Sequence, residues 1–141
     1  MREILFRGKQ KDNGKWVEGY YYKARYCRTD DELCDYITVP HPKEYNKPSS
    51  HYIVNPETVG QYTGFKDKNG NKIFEGDIVK IPLYEGCQEQ VIAVVAWDIL
   101  CAVFYLHGKR VKTDFYHYFG NDCEVIGNIH DKKLEDFENG C

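Results

Sequence analysis

Long apolar runs are missing from this chain: nothing approaches the ~18 residues that a membrane-crossing helix needs, and the first residues lack the apolar stretch of a secretory signal. A soluble, cytoplasmic protein with no membrane partner is expected. Disulfide rhythm is missing too. The six cysteines, Cys27, Cys34, Cys87, Cys101, Cys123 and Cys141, are few for 141 residues and irregularly spaced, so reduced thiols are the default. Zinc sites draw on roughly four N or S ligands in closely spaced pairs. Here the nearest set is Cys27 and Cys34 with His41 and His51 beyond, too widely spaced for a knuckle, and no metal or other cofactor is assigned. Catalytic signatures are equally scarce: the chain has no G-x-S-x-G, no H-E-x-x-H, no P-loop and no G-x-G-x-x-G. His107, His117 and His130 with Asp98, Asp114, Asp122 and Asp131 form only the kind of set that any chain of this length offers. No catalytic residue is assigned, and the protein is expected not to be an enzyme.

Charge of one sign is not abundant either. Nineteen Lys and Arg stand against 22 Asp and Glu, a formal charge of −3, unlike a domain that binds mainly by neutralising phosphates. The distribution is uneven, however. Residues 1–28 carry eight basic side chains (Arg2, Arg7, Lys9, Lys11, Lys15, Lys23, Arg25, Arg28) against Glu3, Asp12 and Glu18. Outward Lys and Arg on edge strands, which discourage aggregation, explain this blandly; a locally basic binding face explains it functionally.

What the chain has in quantity is aromatic: 15% of residues, with 12 Tyr and 7 Phe. That composition favours pleated, half-buried surfaces and a mainly β protein. Size fits one domain over 1–141 with a real core. Ile4 to Arg7, the corner Asn13-Gly14 and Trp16 to Tyr22 read as an N-terminal hairpin spanning 1–23. From 24 to 50 the pattern weakens into a long irregular insertion in which only Cys34 to Val39 has strand character. Over 51–130 short strands recur at 8 to 12 residue spacing, as in a small barrel or strongly bent sheet. In the tail 131–141, Lys132 to Glu138 has the makings of one or two helical turns.

The densest segment is Tyr62 to Val79. Asn69-Gly70 allows positive φ at both residues of a two-residue hairpin turn, and Glu75-Gly76-Asp77 marks a second reversal. Gly64, Gly70, Gly76 and Asp77 are read as structural determinants, the Asp77 carboxylate accepting backbone N–H groups in the turn. This segment, with the start Met1 to Arg7 and the late Glu124-Val125-Ile126-Gly127-Asn128-Ile129, resembles the YopX-like proteins of bacteriophages and prophages. The resemblance implies an all-β, SH3-like barrel element, a phage or prophage origin and a bacterial host cell, and it implies no established activity. It does not extend over Lys23 to Ser50.

Two aromatic runs remain, Tyr20-Tyr21-Tyr22 and Tyr116-His117-Tyr118-Phe119. Such residues ordinarily pack across neighbouring strands with the hydroxyl in water. They also suit protein interfaces, or stack single-stranded bases beside Lys and Arg. Trp16, Tyr20 and Tyr22 are the expected contact face. The partner is expected to be an unknown protein or a second copy in a homo-oligomer, with nucleic acid as the alternative.

Overall fold

An Asn-Gly corner makes the first reversal. The computed structural model describes residues 2–25, 32–40, 50–115, 122–132 and 136. In it, strands β1 (Phe6–Lys9) and β2 (Trp16–Arg25) pair antiparallel, Phe6 opposite Gly19 and Lys9 opposite Trp16. Strands β3 (Leu33–Val39) and β4 (Ser50–Ile53) extend the meander. A 3-10 turn at Pro56–Thr58 leads into β5 (Gly60–Lys66). The remaining strands are β6 (Lys72–Phe74), β7 (Asp77–Pro82), β8 (Gln90–Asp98), β9 (Val103–His107), β10 (Lys112–Asp114) and β11 (Glu124–Asn128). The protein is mainly β, built from antiparallel sheets. Contacts group it into two compact units, Met1–Gln61 and Tyr62–Cys141. Among the described residues, no helix is long and apolar enough to cross a membrane.

In the N-terminal unit, period-two alternation divides each strand between two faces. The register puts Phe6, Gly8, Val17, Gly19, Tyr21 and Ile37 on one side, and Ile37 and Val54 are almost wholly buried. One of these positions requires glycine because backbones approach closely: a Cβ on Gly19 would lie 2.2 Å from the Thr38 carbonyl oxygen. A Cβ on Gly8 would press on side chains instead, 3.2 Å from Ile37 Cδ1. The end of β4 returns to the end of β1: Gln10 bridges Val54, Lys11 N–H reaches the Ile53 carbonyl at 2.9 Å, and Asn55 N–H reaches that of Lys9 at 2.9 Å. Thr58 fastens the 3-10 turn there, its hydroxyl accepting the Lys9 N–H at 2.9 Å and donating to the Asn55 carbonyl at 2.6 Å.

The stretch expected as an irregular insertion is partly regular. β2 runs on to Arg25, and β3 lies between β2 and β4 with Ile37 fully buried, because its β-branched and aromatic residues alternate as a strand's do. Residues 26–31 and 41–49 of that stretch lie outside the described residues, as do most of the tail with its expected helical turns and the Tyr116 to Phe119 run.

In the C-terminal unit, β8 supplies the apolar spine of a five-stranded sheet ordered β10-β9-β8-β7-β11. Ile73, Val79, Ile81, Val91, Ala93, Val95, Leu106, Phe115 and Cys123 form its core, and Phe65 stacks on Phe115 with centroids 5.2 Å apart. This sheet does not close into the SH3-like barrel that the resemblance implies. Among the described residues β10 pairs only with β9 and β11 only with β7, the former being three residues long and the latter bulged between Val125 and Gly127. The form realised is open antiparallel sheets, with Gly64 at φ +91° in the irregular pairing of β5 with β6.

The turn chemistry also differs from the two-residue reading. Gly70 has φ +83° but Asn69 does not take positive φ, and the loop runs from Asp67 to Asn71. The cause is Asp67, whose Oδ1 accepts the N–H groups of Asn69 and Asn71, both at 2.9 Å. Those bonds hold a longer turn in which only the glycine must be left-handed. Asn13-Gly14 behaves likewise: Gly14 alone has positive φ, and Asn13 Oδ1 accepts the Lys15 N–H at 2.9 Å.

Candidate interaction face

Alternate residues of β2 put Trp16, Glu18, Tyr20 and Tyr22 on the face away from Gly19 and Tyr21. Their cross-strand partners complete it: Lys9 opposite Trp16, Arg7 opposite Glu18, Thr38 opposite Tyr20, Tyr36 opposite Tyr22 and His51 opposite Thr38. The three aromatics expected as a contact face therefore share one side of the N-terminal unit.

They are not equivalent. Arg7 lies over the Trp16 ring, its guanidinium carbon 4.6 Å from the centroid, and the Lys9 ammonium lies 5.5 Å away, so cations occupy the indole face. Tyr22 stacks on buried Tyr36, centroids 5.2 Å apart and planes 12° apart, and its hydroxyl meets His51 Nδ1 at 2.9 Å. Thr38 Oγ1 lies 2.8 Å from the same nitrogen. One imidazole nitrogen offers a single lone pair or a single N–H, so the two hydroxyls compete for it. Tyr20 is the outstanding member, 57% exposed between these fixed groups.

Tyr21, inside the same run, does something else. It points to the opposite face, where its hydroxyl donates to Asp35 and its ring packs 5.5 Å from Phe6. Burial, then the hydrogen bond to Asp35 and that carboxylate's negative charge, push the phenol up to about 12. Lys23 Nζ approaches the same carboxylate at 3.9 Å. Reading the sequence missed Tyr36, Thr38, His51 and Asp35, because only the register between β2, β3 and β4 reveals them.

The structural determinants sit in the C-terminal unit. Gly76, at φ +90°, gives its N–H to the Val95 carbonyl at 2.8 Å and accepts that of Ile129 at 3.0 Å. Asp77 is buried, its Oδ2 accepting the Phe74 N–H at 2.8 Å and its Oδ1 the Asn128 amide at 3.1 Å. Asp67, which the sequence did not single out, is buried as well and reaches Val125 N–H at 3.0 Å. Burial works to raise its carboxyl, but the N–H groups of Val125, Asn71 and Asn69 outweigh that and hold it below the usual carboxylate range.

Other chemistry weighed on sequence disperses. His51 is engaged by two hydroxyls and Cys34 stands in β3 opposite Ala24, while Cys27, His41 and His117 lie outside the described residues. Among the described residues no three His, Cys, Asp or Glu side chains gather to hold a metal ion. A small cleft of about 220 Å³ lies among Lys68, Lys80, Gln90, Asp122 and Glu124. It is internally neutralised, with Lys68 paired to Glu124 at 3.2 Å.

These features define a class: a mainly β protein of two compact units with an aromatic face on the first. The YopX protein family matches residues 5–134, nearly the whole chain, and the chain belongs to that family. No curated protein matches it. Among solved structures it is similar to protein EF1440 from Enterococcus faecalis, at 21% identity and a TM-score of 0.52, over 96% of this chain and 99% of that one. This likeness shows a common fold.

Proposed function

We propose that this chain is a non-enzymatic protein-binding module of phage or prophage origin, acting in the cytoplasm of the bacterial host through the face of Trp16, Tyr20 and Tyr22. One observation carries the reading: three large aromatics share a face on which Tyr22 is immobilised by Tyr36 and His51 while Tyr20 stays 57% exposed. Rigid, amphipathic rings beside Arg are what protein interfaces enrich, because little side-chain entropy is lost on contact. Its buried acids support a binding role over a catalytic one, since Asp67 and Asp77 are spent on backbone N–H groups.

The test is affinity capture from nuclease-treated host extract with wild type and with Tyr20→Ser as baits. A partner retained near one-to-one by wild type and lost by the variant supports the reading; identical capture profiles overturn it. The cations over Trp16 favour a second reading, single-stranded nucleic acid stacked on Tyr20. That version demands oligonucleotide binding that weakens steeply with salt. No retention of mixed oligonucleotides at low ionic strength removes it.

A further inference from the structure

The hairpin of β8 and β9 reaches beyond the core that anchors it. Val95 and Leu106 face each other fully buried. One step outward on the same face, Trp97 packs edge-on to Phe104 at 4.8 Å and is 43% exposed. At the tip Ile99 and Leu100 are 83% and 93% exposed, the most of any large apolar side chains among the described residues. The tip is nonetheless ordered by its own chemistry: the Asp98 carboxylate accepts the N–H groups of Leu100 at 2.9 Å and Cys101 at 3.2 Å, and Ala102 takes φ +53° to close the reversal. A capped, left-handed corner carrying two bare aliphatic side chains is a rigid apolar knob.

We propose that this hairpin arm is a self-association element, its tip packing against the same tip of a second copy across a two-fold axis. An isologous contact needs a self-complementary patch. Here Ile99 and Leu100 at the tip and Val103 on the face of Asp98 supply apolar surface, and charges of both signs flank it: Asp98 within the tip, and on β10 Lys112, which lies over Tyr105 at 5.8 Å and whose charge Asp98 feels. The two-fold can set acid against base. A membrane fits less well, because the N–H groups of Cys101 and Leu100 favour the ionised Asp98 carboxylate beside the very residues that would have to enter lipid. A handful of apolar side chains falls well short of the roughly 20–30 residues a side of a standard interface, so the association is weak, with a dissociation constant on the order of 100 μM. The proposal concerns the C-terminal unit and does not rest on the N-terminal aromatic face.

Sedimentation velocity between about 10 μM and 1 mM tests it. Wild type is expected to rise from 16.5 kDa toward twice that mass, whereas the double variant Ile99→Ser, Leu100→Ser stays monomeric with an unchanged denaturation midpoint. Exposed Cys101 gives an independent readout. Diamide should oxidise two Cys101 thiols to an intermolecular disulfide, the diamide taking both electrons and both protons; the cross-link is expected to disappear in Cys101→Ser and to fall at least fivefold in the Ile99, Leu100 variant. Wild type that stays monomeric at 1 mM overturns the proposal, as does an Ile99, Leu100 variant that still dimerises or whose cross-link falls less than fivefold. Monomeric wild type that co-sediments with phosphatidylcholine and phosphatidylglycerol vesicles, and loses this in the variant, overturns it in favour of a lipid surface.

Discussion

The Asn128 amide donates to the buried Asp77 carboxylate at 3.1 Å, pairing side chains that are also register partners on β11 and β7. Since Asp77 also takes the Phe74 N–H, Asp77→Ala leaves two buried donors without an acceptor. A loss of about 3 kcal/mol in unfolding free energy is expected, from 1 to 3 per orphaned group. Urea denaturation of the two proteins checks it, and a loss below about 1 kcal/mol means that water or repacking replaces the carboxylate.

Gly19→Ala should be among the most damaging small substitutions in the N-terminal unit. Its methyl group would lie 2.2 Å from the Thr38 carbonyl oxygen, and backbone cannot yield as a flexible side chain does. The β2 to β3 pairing must open, at more than about 2 kcal/mol. Ala at exposed Glu18 is the control, expected within about 0.5 kcal/mol of wild type.

Asp67 makes stability depend on acid. With its folded-state pKa held low, its contribution is complete above the unfolded value near 3.8 and disappears as pH falls through the lower folded value. Denaturation midpoints of wild type and Asp67→Asn should differ clearly at pH 6 and converge below pH 3.8. A gap independent of pH would place the effect in packing rather than in the ionised group.

At the alkaline end the sign is reversed. Tyr21 and Cys123 are both pushed up to about 12, Tyr21 by burial and Asp35, Cys123 by burial and the charges of Asp67 and Asp77. Each favours the folded state fully below its unfolded value, 10 for the phenol and 9 for the thiol, and the benefit is lost as pH climbs to about 12. Stability should therefore decline from about pH 9 upward. Absorbance titration at tyrosinate wavelengths should contain a late component that Tyr21→Phe removes.

Strand positions were legible because β-branched and aromatic residues cluster between Gly and Asn corners: Gln90 to Trp97 became β8 and Cys123 to Ile129 contains β11. The outward set Trp16, Tyr20, Tyr22 followed from period two alone. What escaped depended on partners distant in sequence. Tyr36 and His51 reach Tyr22 only through the pairing of three strands, and Asp67 meets Val125 58 positions away. The turn at Asn69-Gly70 departs from the two-residue type for a related reason: its form is decided by a carboxylate two residues earlier rather than by the pair itself. Barrel closure was the least legible feature, since it depends on whether the short edge strands β10 and β11 find each other.

The alternation along β2 makes the corner between Lys11 and Lys15 a spacing device. Deleting one residue there while keeping the pairing with β1 would invert the strand's parity. Tyr20 would be driven into the place of Gly19, where even a methyl group meets the Thr38 carbonyl, and Tyr21 would lose Asp35 and emerge in the solvent. Insertions and deletions at this corner should thus be tolerated only in pairs, whereas exchanges of the exposed Lys11, Asp12 and Lys15 side chains should be nearly neutral.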